Sequence, residues 1–161
     1  MYVFSDAARH LTISPGSGIV DWPVDHYGAG RTGFLAQIPV ISVIDDDESM
    51  RVATKRLVRS LGSACHTFAC AEEFLESSCL DDTSCVIADV QLPGMSGVDL
   101  QELLVARGYR TPVILITAFP DERTRMRALR AGATCFLSKP CDIPALIECL
   151  ENALSTHRCK G

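Results

Sequence analysis

Four carboxylates stand in a row at Asp45, Asp46, Asp47 and Glu48, directly after the apolar run IPVISVI. A fifth, Asp89, closes the run CVIAD inside the stretch CVIADVQLPGMSGVDL, and the chain then turns through Pro93, Gly94 and Gly97. Thr117 ends TPVILIT, and Lys139 with Pro140 follows TCFLS. Carboxylates, a hydroxyl and an amine are the groups that hold a hard cation or handle a phosphoryl group. A strand buried on both faces has no water for the charge of Asp89, so this residue either starts a turn or sits at the mouth of a site. Carboxylates about 4 Å apart repel by roughly 4 kcal/mol per pair at an effective dielectric of ~20, and a single lysine cannot offset every pair. A divalent, oxygen-preferring cation can, and Mg²⁺ with its retained waters suits a few carboxylates plus a phosphoryl oxygen.

Whether these residues meet depends on the elements that carry them. IPVISVI (38–44) is a strand, and 48–61 is a helix with Met50, Ala53, Leu57 and Val58 on one face, stopped by Gly62. SACHTF (63–68) is a weak edge strand, and AEEFLESS (71–78) is a short helix carrying Phe74 and Leu75. CVIAD (85–89) is a buried strand, 97–107 a helix, and 111–117 the most apolar strand. Residues 121–132 form a helix closed by Gly132, 134–138 is the last strand, and Asp142 caps a final helix through about Leu154. Strands that are continuously apolar and alternate with helices indicate a parallel sheet covered on both faces, a doubly wound α/β domain. Ligands in such sheets collect outside the carboxyl ends of the strands, where the strand order reverses. Asp45 to Glu48, Asp89, Thr117 and Lys139 all fall at those ends.

A chain of 161 residues suits one domain with a full core and a short appendage. Residues 38–157 are expected to form that domain, with 1–37, rich in Gly, Ser and Pro, a flexible extension and 158–161 a tail. The apolar runs are too short to cross a bilayer and no secretory signal is evident, so a soluble, cytoplasmic protein is expected. A net charge of -5 without a basic tail argues against nucleic-acid binding. The eight cysteines include no CxxC pair, and they are expected to be reduced and to act as small core hydrophobes. Cys65 beside His66 is a poor metal signal.

Taken together, VIDDDES, IADVQLPGMSG, LITA and FLSKP, in this order at these strand ends, resemble the receiver domains of two-component response regulators, most closely the FixJ-like branch. The resemblance covers about residues 38–157. It implies a flavodoxin-like (βα)5 fold with strand order 2-1-3-4-5. It makes Asp89 the phosphoacceptor and Asp45 and Asp46 the acidic pair for Mg²⁺, with Asp46 the likelier direct ligand and Asp89 and the Gln91 backbone carbonyl as further ligands. Lys139 would pair with the phosphoryl group, Thr117 would hydrogen-bond it, and Phe136 stands where the family has its aromatic switch. A cis peptide before Pro140 is also implied. The implied donor is a histidine kinase or histidine phosphotransfer protein. The implied output is a phosphorylation-dependent protein contact, with a homodimer on activation as one form of it. Arg123, Arg127 and Arg130, at helical spacing on the face that family members use for partners, form a candidate partner stripe.

Each residue also has a plainer reading. Asp45 to Glu48 suit an acidic N-cap and first turn, Asp89 a turn, Lys139 a solvated surface, Thr117 an ordinary strand and Phe136 an ordinary core. Their joint occurrence at convergent strand ends favours the phosphoryl-accepting module. Because the sequence stops at Gly161, the expectation is a regulator without a DNA-binding output domain in this chain, or else a piece of a longer one. An aspartyl-phosphate phosphatase of the haloacid-dehalogenase type needs a second acid two positions after the nucleophile, where this chain has Gln91, so no turnover of an external substrate is expected. A receiver fold that has lost its trigger is disfavoured by the intact set of site residues. The chain departs from the family pattern at Leu92, usually methionine, and at Cys141, often phenylalanine. Gln91 and Phe119 occupy the positions that tune phosphate lifetime, and a bulky Phe119 is expected to hinder the attacking water.

Overall fold

The computed structural model describes residues 37–158, so the expected extension and tail lie almost wholly outside the described residues. Five strands, β1 (Val40–Ile44), β2 (Ala64–Phe68), β3 (Cys85–Asp89), β4 (Val113–Thr117) and β5 (Cys135–Ser138), form one sheet in the order β2-β1-β3-β4-β5. Every pairing is parallel, with Ile44 opposite both Phe68 and Ala88, and Asp89 opposite Ile116. Five helices connect them: α1 (Glu48–Ser60), α2 (Ala71–Glu76), α3 (Gly97–Ala106), α4 (Glu122–Arg130) and α5 (Ile143–Arg158). This is the doubly wound flavodoxin-like architecture, and β2 is an edge strand as expected.

The continuous apolar runs resolve into two faces. Ile41 and Val43 of β1, Cys85 and Ile87 of β3, and Ile114 and Ile116 of β4 pack with Val58, Leu146 and Leu150 from α1 and α5. Their neighbours Ile44, Val86, Ala88, Val113 and Leu115 point the other way and pack with Phe74, Leu100, Leu104 and Ala128 from α2, α3 and α4. Alternation with a period of two is present, but both faces are apolar and hide it in the sequence.

Short polar residues start the helices. Asp47 accepts the N–H groups of Ser49 and Met50, Ser96 and Asp99 form a reciprocal capping box, and Asp121 accepts the N–H of Thr124. Asp142 accepts the N–H of Ala145 at 3.2 Å, as expected of a cap. Element ends differ from expectation in two instructive places. The first strand begins at Val40, because Pro39 has no N–H to give the ladder and Ile38 is half exposed. The last helix runs on to Arg158, past the expected end near Leu154, and Leu150, Ala153 and Leu154 carry its apolar stripe as far as that point.

The cysteines divide. Cys65, Cys70, Cys79, Cys85 and Cys141 are free, and burial pushes the Cys85 thiol up to about 12, as befits an inert core residue. Cys135 and Cys149, expected to be reduced, are instead joined as a disulfide between β5 and α5. Their Cα atoms are 6.1 Å apart, within the span a disulfide bridges, because α5 packs back on the strand 14 residues earlier. No described helix is long and apolar enough to cross a membrane.

Candidate functional site

The strand order reverses at β1, which lies between β2 and β3, and the carboxyl ends of β1 and β3 are therefore the switch point. Asp45 follows β1 and Asp89 ends β3, both 6% exposed; Asp46 is exposed beside them. These three offer carboxylate oxygens within 4.8 Å of one another. The backbone N–H of Lys139 donates to the Thr117 carbonyl at 2.7 Å, which continues the β4–β5 pairing and delivers the lysine to the same edge. Its Nζ bridges Asp45 Oδ2 at 2.8 Å and Asp89 Oδ2 at 2.5 Å. Burial opposes the charge of Lys139, but the two carboxylates outweigh it and lift its pKa above the ordinary lysine value.

The second carboxylate oxygens of Asp45 and Asp89 each accept a local backbone N–H. Asp45 Oδ1 accepts the N–H of Asp47, and Asp89 Oδ1 accepts the N–H of Gln91, each at 2.8 Å. Thr117 is fully buried, and its hydroxyl donates to Gln91 Oε1 at 2.9 Å while accepting the N–H of Phe119 at 3.1 Å. The exposed ring of Phe119 stands at the rim of this edge. Phe136, half-buried on β5 opposite Leu115, packs against the core cluster on the α3–α4 side. The Lys139–Pro140 peptide is cis.

Three carboxylates and one ammonium leave the pocket with a net negative charge. An all-oxygen donor set of that sign and spacing fits a hard divalent cation such as Mg²⁺. The site thus combines a cluster of three carboxylates, one of them, Asp89, held through both oxygens, and one ammonium shared between two of them.

Three further residues shape the site and were not singled out for it by sequence. Arg51 donates to the Asp45 backbone carbonyl at 2.6 Å, six residues on and one helical turn into α1. Glu72 of α2 accepts the N–H of Met95 at 3.0 Å and so pins the loop after Asp89. Hydrogen bonds from its own backbone N–H and from Met95 hold its carboxyl below the usual range. Gly97, at the start of α3, lies so close to the Asp89 carbonyl that a Cβ would overlap it. Only Gly97 carried a signal, as a glycine just past a Pro-Gly turn.

The arginine stripe lies apart from this pocket. Arg123, Arg127 and Arg130 line a groove with Glu102, Met126 and Ala131. Arg127 is committed within the fold: its guanidinium meets Glu102 through two contacts of 2.7 and 2.8 Å and Asp99 at 2.6 Å, tying α4 to α3. Arg123 and Arg130 form no ion pair among the described residues.

Fold and site define a flavodoxin-like α/β domain with a carboxylate–lysine centre at its switch point. Residues 41–151 match the family model of the response regulator receiver domain, and the chain belongs to that family. It is similar to Nodulation protein W of Bradyrhizobium diazoefficiens, with 39% identity over 142 residues that take in 88% of this chain and 61% of that protein. It is also similar to the transcriptional regulatory protein FixJ of Azorhizobium caulinodans, at 36% identity over 75% of this chain and 57% of FixJ. Among solved structures, the response regulator StyR superposes with a TM-score of 0.70 at 39% identity, covering 76% of this chain and 62% of StyR. The domain is a FixJ-like receiver of the two-component type, and it spans about three-fifths of the length of these relatives.

Proposed function

We propose that the chain accepts a phosphoryl group on Asp89 from a histidine kinase or histidine phosphotransfer protein. The observation that carries this reading is the Lys139 ammonium shared between Asp45 and Asp89. An Asp89 carboxylate oxygen attacks phosphorus, the new O–P bond forms as the donor's bond to phosphorus breaks, and the donor leaves with that electron pair. Lys139 sits where charge builds on the transferred oxygens, and a fixed positive group there stabilises the transition state more than the ground state. Asp45, Asp46, Asp89 and the backbone carbonyl of Gln91 would hold Mg²⁺, which supplies further positive charge to the phosphoryl oxygens.

The acyl phosphate then competes for the Thr117 hydroxyl. That hydroxyl leaves Gln91, turns toward the new oxygens, and vacates space beside β4 into which Phe136 turns. The surface of α4, β5 and α5 shifts in population, and Arg123 and Arg130 present charge to a protein partner or a second copy of the chain. The functional unit spans 38–157, promotes its own phosphorylation and dephosphorylation without turning over an external substrate, and works in the cytoplasm.

Intact mass after incubation with Mg²⁺ and a small phosphodonor tests this, run beside Asp89→Asn and an EDTA control. One added phosphoryl group, absent in both controls, is expected. No added mass in the wild type, with a phosphotransfer donor also failing and loss before analysis excluded, would sink the proposal.

A further inference from the structure

The disulfide between Cys135 and Cys149 has no part in the chemistry above, yet the segment it closes does. The chain from Cys135 to Cys149 carries Phe136, Lys139 and the α5 cap Asp142. Cys135 opens β5 opposite Ile114, while Cys149 lies on the core-facing side of α5 and is 8% exposed. The bond therefore staples the start of the strand that delivers Lys139 to the middle of the helix that follows it.

We propose that Cys135 and Cys149 form a reversible thiol–disulfide modification site that restrains the β5–α5 segment and so slows phosphoryl acceptance when oxidised. This rests on the receiver function proposed above. The oxidant is a low-molecular-weight disulfide and the reductant a dithiol. Cys135, the more exposed of the two, attacks the external disulfide as its thiolate and releases one thiol. Cys149 then displaces the second thiol from that mixed disulfide. Two protein thiols and one external disulfide become one protein disulfide and two external thiols, and the protein's two protons end on those thiols. A dithiol reverses the exchange and is itself oxidised to a disulfide.

The position of the staple explains the expected effect. Lys139 touches both Asp45 and Asp89, and any turn of Phe136 or shift of α5 moves chain inside the closed loop. A cross-link at both ends of that loop removes arrangements the segment would otherwise sample. In a compartment kept reducing, the pair rests as two thiols, and oxidation is the event that sets it. Cys141 lies inside the loop, but burial, with the nearby Asp142 charge, raises its thiol pKa and keeps it a poor attacking group for scrambling the bond.

The full chain is treated with glutathione disulfide or with dithiothreitol, quenched in acid, unfolded and alkylated. The oxidised sample is expected to take two fewer alkyl groups than the reduced one. Cleavage before Asp142 puts Cys135 and Cys141 on one peptide and Cys149 and Cys159 on another, and fragmentation of the linked pair identifies which cysteine of each peptide is joined. Phosphoryl acceptance is then expected to be at least threefold slower in the oxidised chain. The difference should vanish in Cys135→Ser and in Cys149→Ala and persist in Cys141→Ser. Amide exchange over residues 136–148 should be slower in the oxidised chain, a readout independent of phosphorylation. Full alkylation after oxidation, or a disulfide that changes neither exchange nor acceptance, overturns the proposal. If neither redox form gains a phosphoryl group, the receiver chemistry fails, and the thiol count and amide exchange still decide whether the staple exists.

Discussion

Gly97→Ala is the sharpest probe of how the site is built. In a helix interior the change would favour folding by about 1 kcal/mol, and less at this first helical position. Here the added Cβ would overlap the backbone carbonyl oxygen of Asp89 and lie 3.0 Å from its carbon and 3.1 Å from Leu115 Cδ2. The leucine can rotate away; the carbonyl cannot, because Asp89 is paired within the sheet and Gly97 is held by its own N–H donating to the Val90 carbonyl at 3.1 Å. Overpacking of this kind costs about 1–3 kcal/mol, and contact with backbone belongs at the upper end. The net loss is then about 2 kcal/mol, or roughly 8 °C in Tm for a domain of this size.

Relief of the clash must also move the peptide that aims the Asp89 carboxylate. Misplacement of a reacting group by an ångström costs on the order of 100-fold in rate, so a fraction of that shift should slow phosphoryl acceptance at least about tenfold. Thermal melting and the time course of mass gain measure the two effects together. Gly108→Ala is the control: φ is +85° there, nothing lies within 4 Å of the added carbon, and the cost is about 1–2 kcal/mol of left-handed backbone, with acceptance unchanged. Adding Leu115→Ala to Gly97→Ala should not restore acceptance. If Gly97→Ala melts with the wild type and accepts phosphate at its rate, the packing argument is wrong.

Two further predictions concern the supports of the site. Glu72 has a depressed carboxyl pKa in the fold, so its contribution is present above the unfolded value of about 4.3 and is lost as pH falls through the folded value. Glu72→Gln should therefore melt below the wild type at pH 7, with the gap narrowing in urea titrations below about pH 4.3; a gap that widens in acid contradicts the assignment. Arg127→Ala should cost about 0.5–1 kcal/mol, since the pairs with Asp99 and Glu102 are half exposed, and less in 1 M salt. It should leave phosphoryl acceptance unchanged, because the α3–α4 tie stands apart from the acidic pocket.

What the sequence made legible follows from where each residue lies. β3 could be read to the residue because an apolar run ended at a carboxylate and a Pro-Gly turn followed. Asp45, Asp89, Thr117 and Lys139 were legible because each sits at or just beyond a strand end, and parallel strands bring their carboxyl ends to one edge. Arg51 and Glu72 were not, since their partners are backbone groups fixed only when α1 and α2 dock. Arg127 read as one of three equivalent surface arginines until α3 supplied Asp99 and Glu102, 28 and 25 residues away. Cys135 and Cys149 lack any motif spacing, and their approach depends on how α5 lies across the sheet.

In the proposed function, phosphorylation would act on groups that already have partners. Lys139 is divided between two carboxylates, and the Thr117 hydroxyl is engaged with Gln91 and the N–H of Phe119. Each polar group the phosphoryl oxygens would recruit already has a partner, so nothing inside the domain drives Thr117 inward. On the proposed reading, a phosphoryl group on Asp89 would change that balance by placing three terminal oxygens, sharing about two negative charges, near Lys139, and a hydrogen bond to a charged acceptor is roughly twice as strong as one between neutral groups. The exchange would release the Gln91 side chain, which is exposed and can rehydrate at little cost. Thr117 would gain a stronger acceptor while Gln91 would lose only what water restores, and on the proposed reading that asymmetry would give an acyl phosphate on Asp89 its hold over β4 and, through the neighbouring strand, over Phe136.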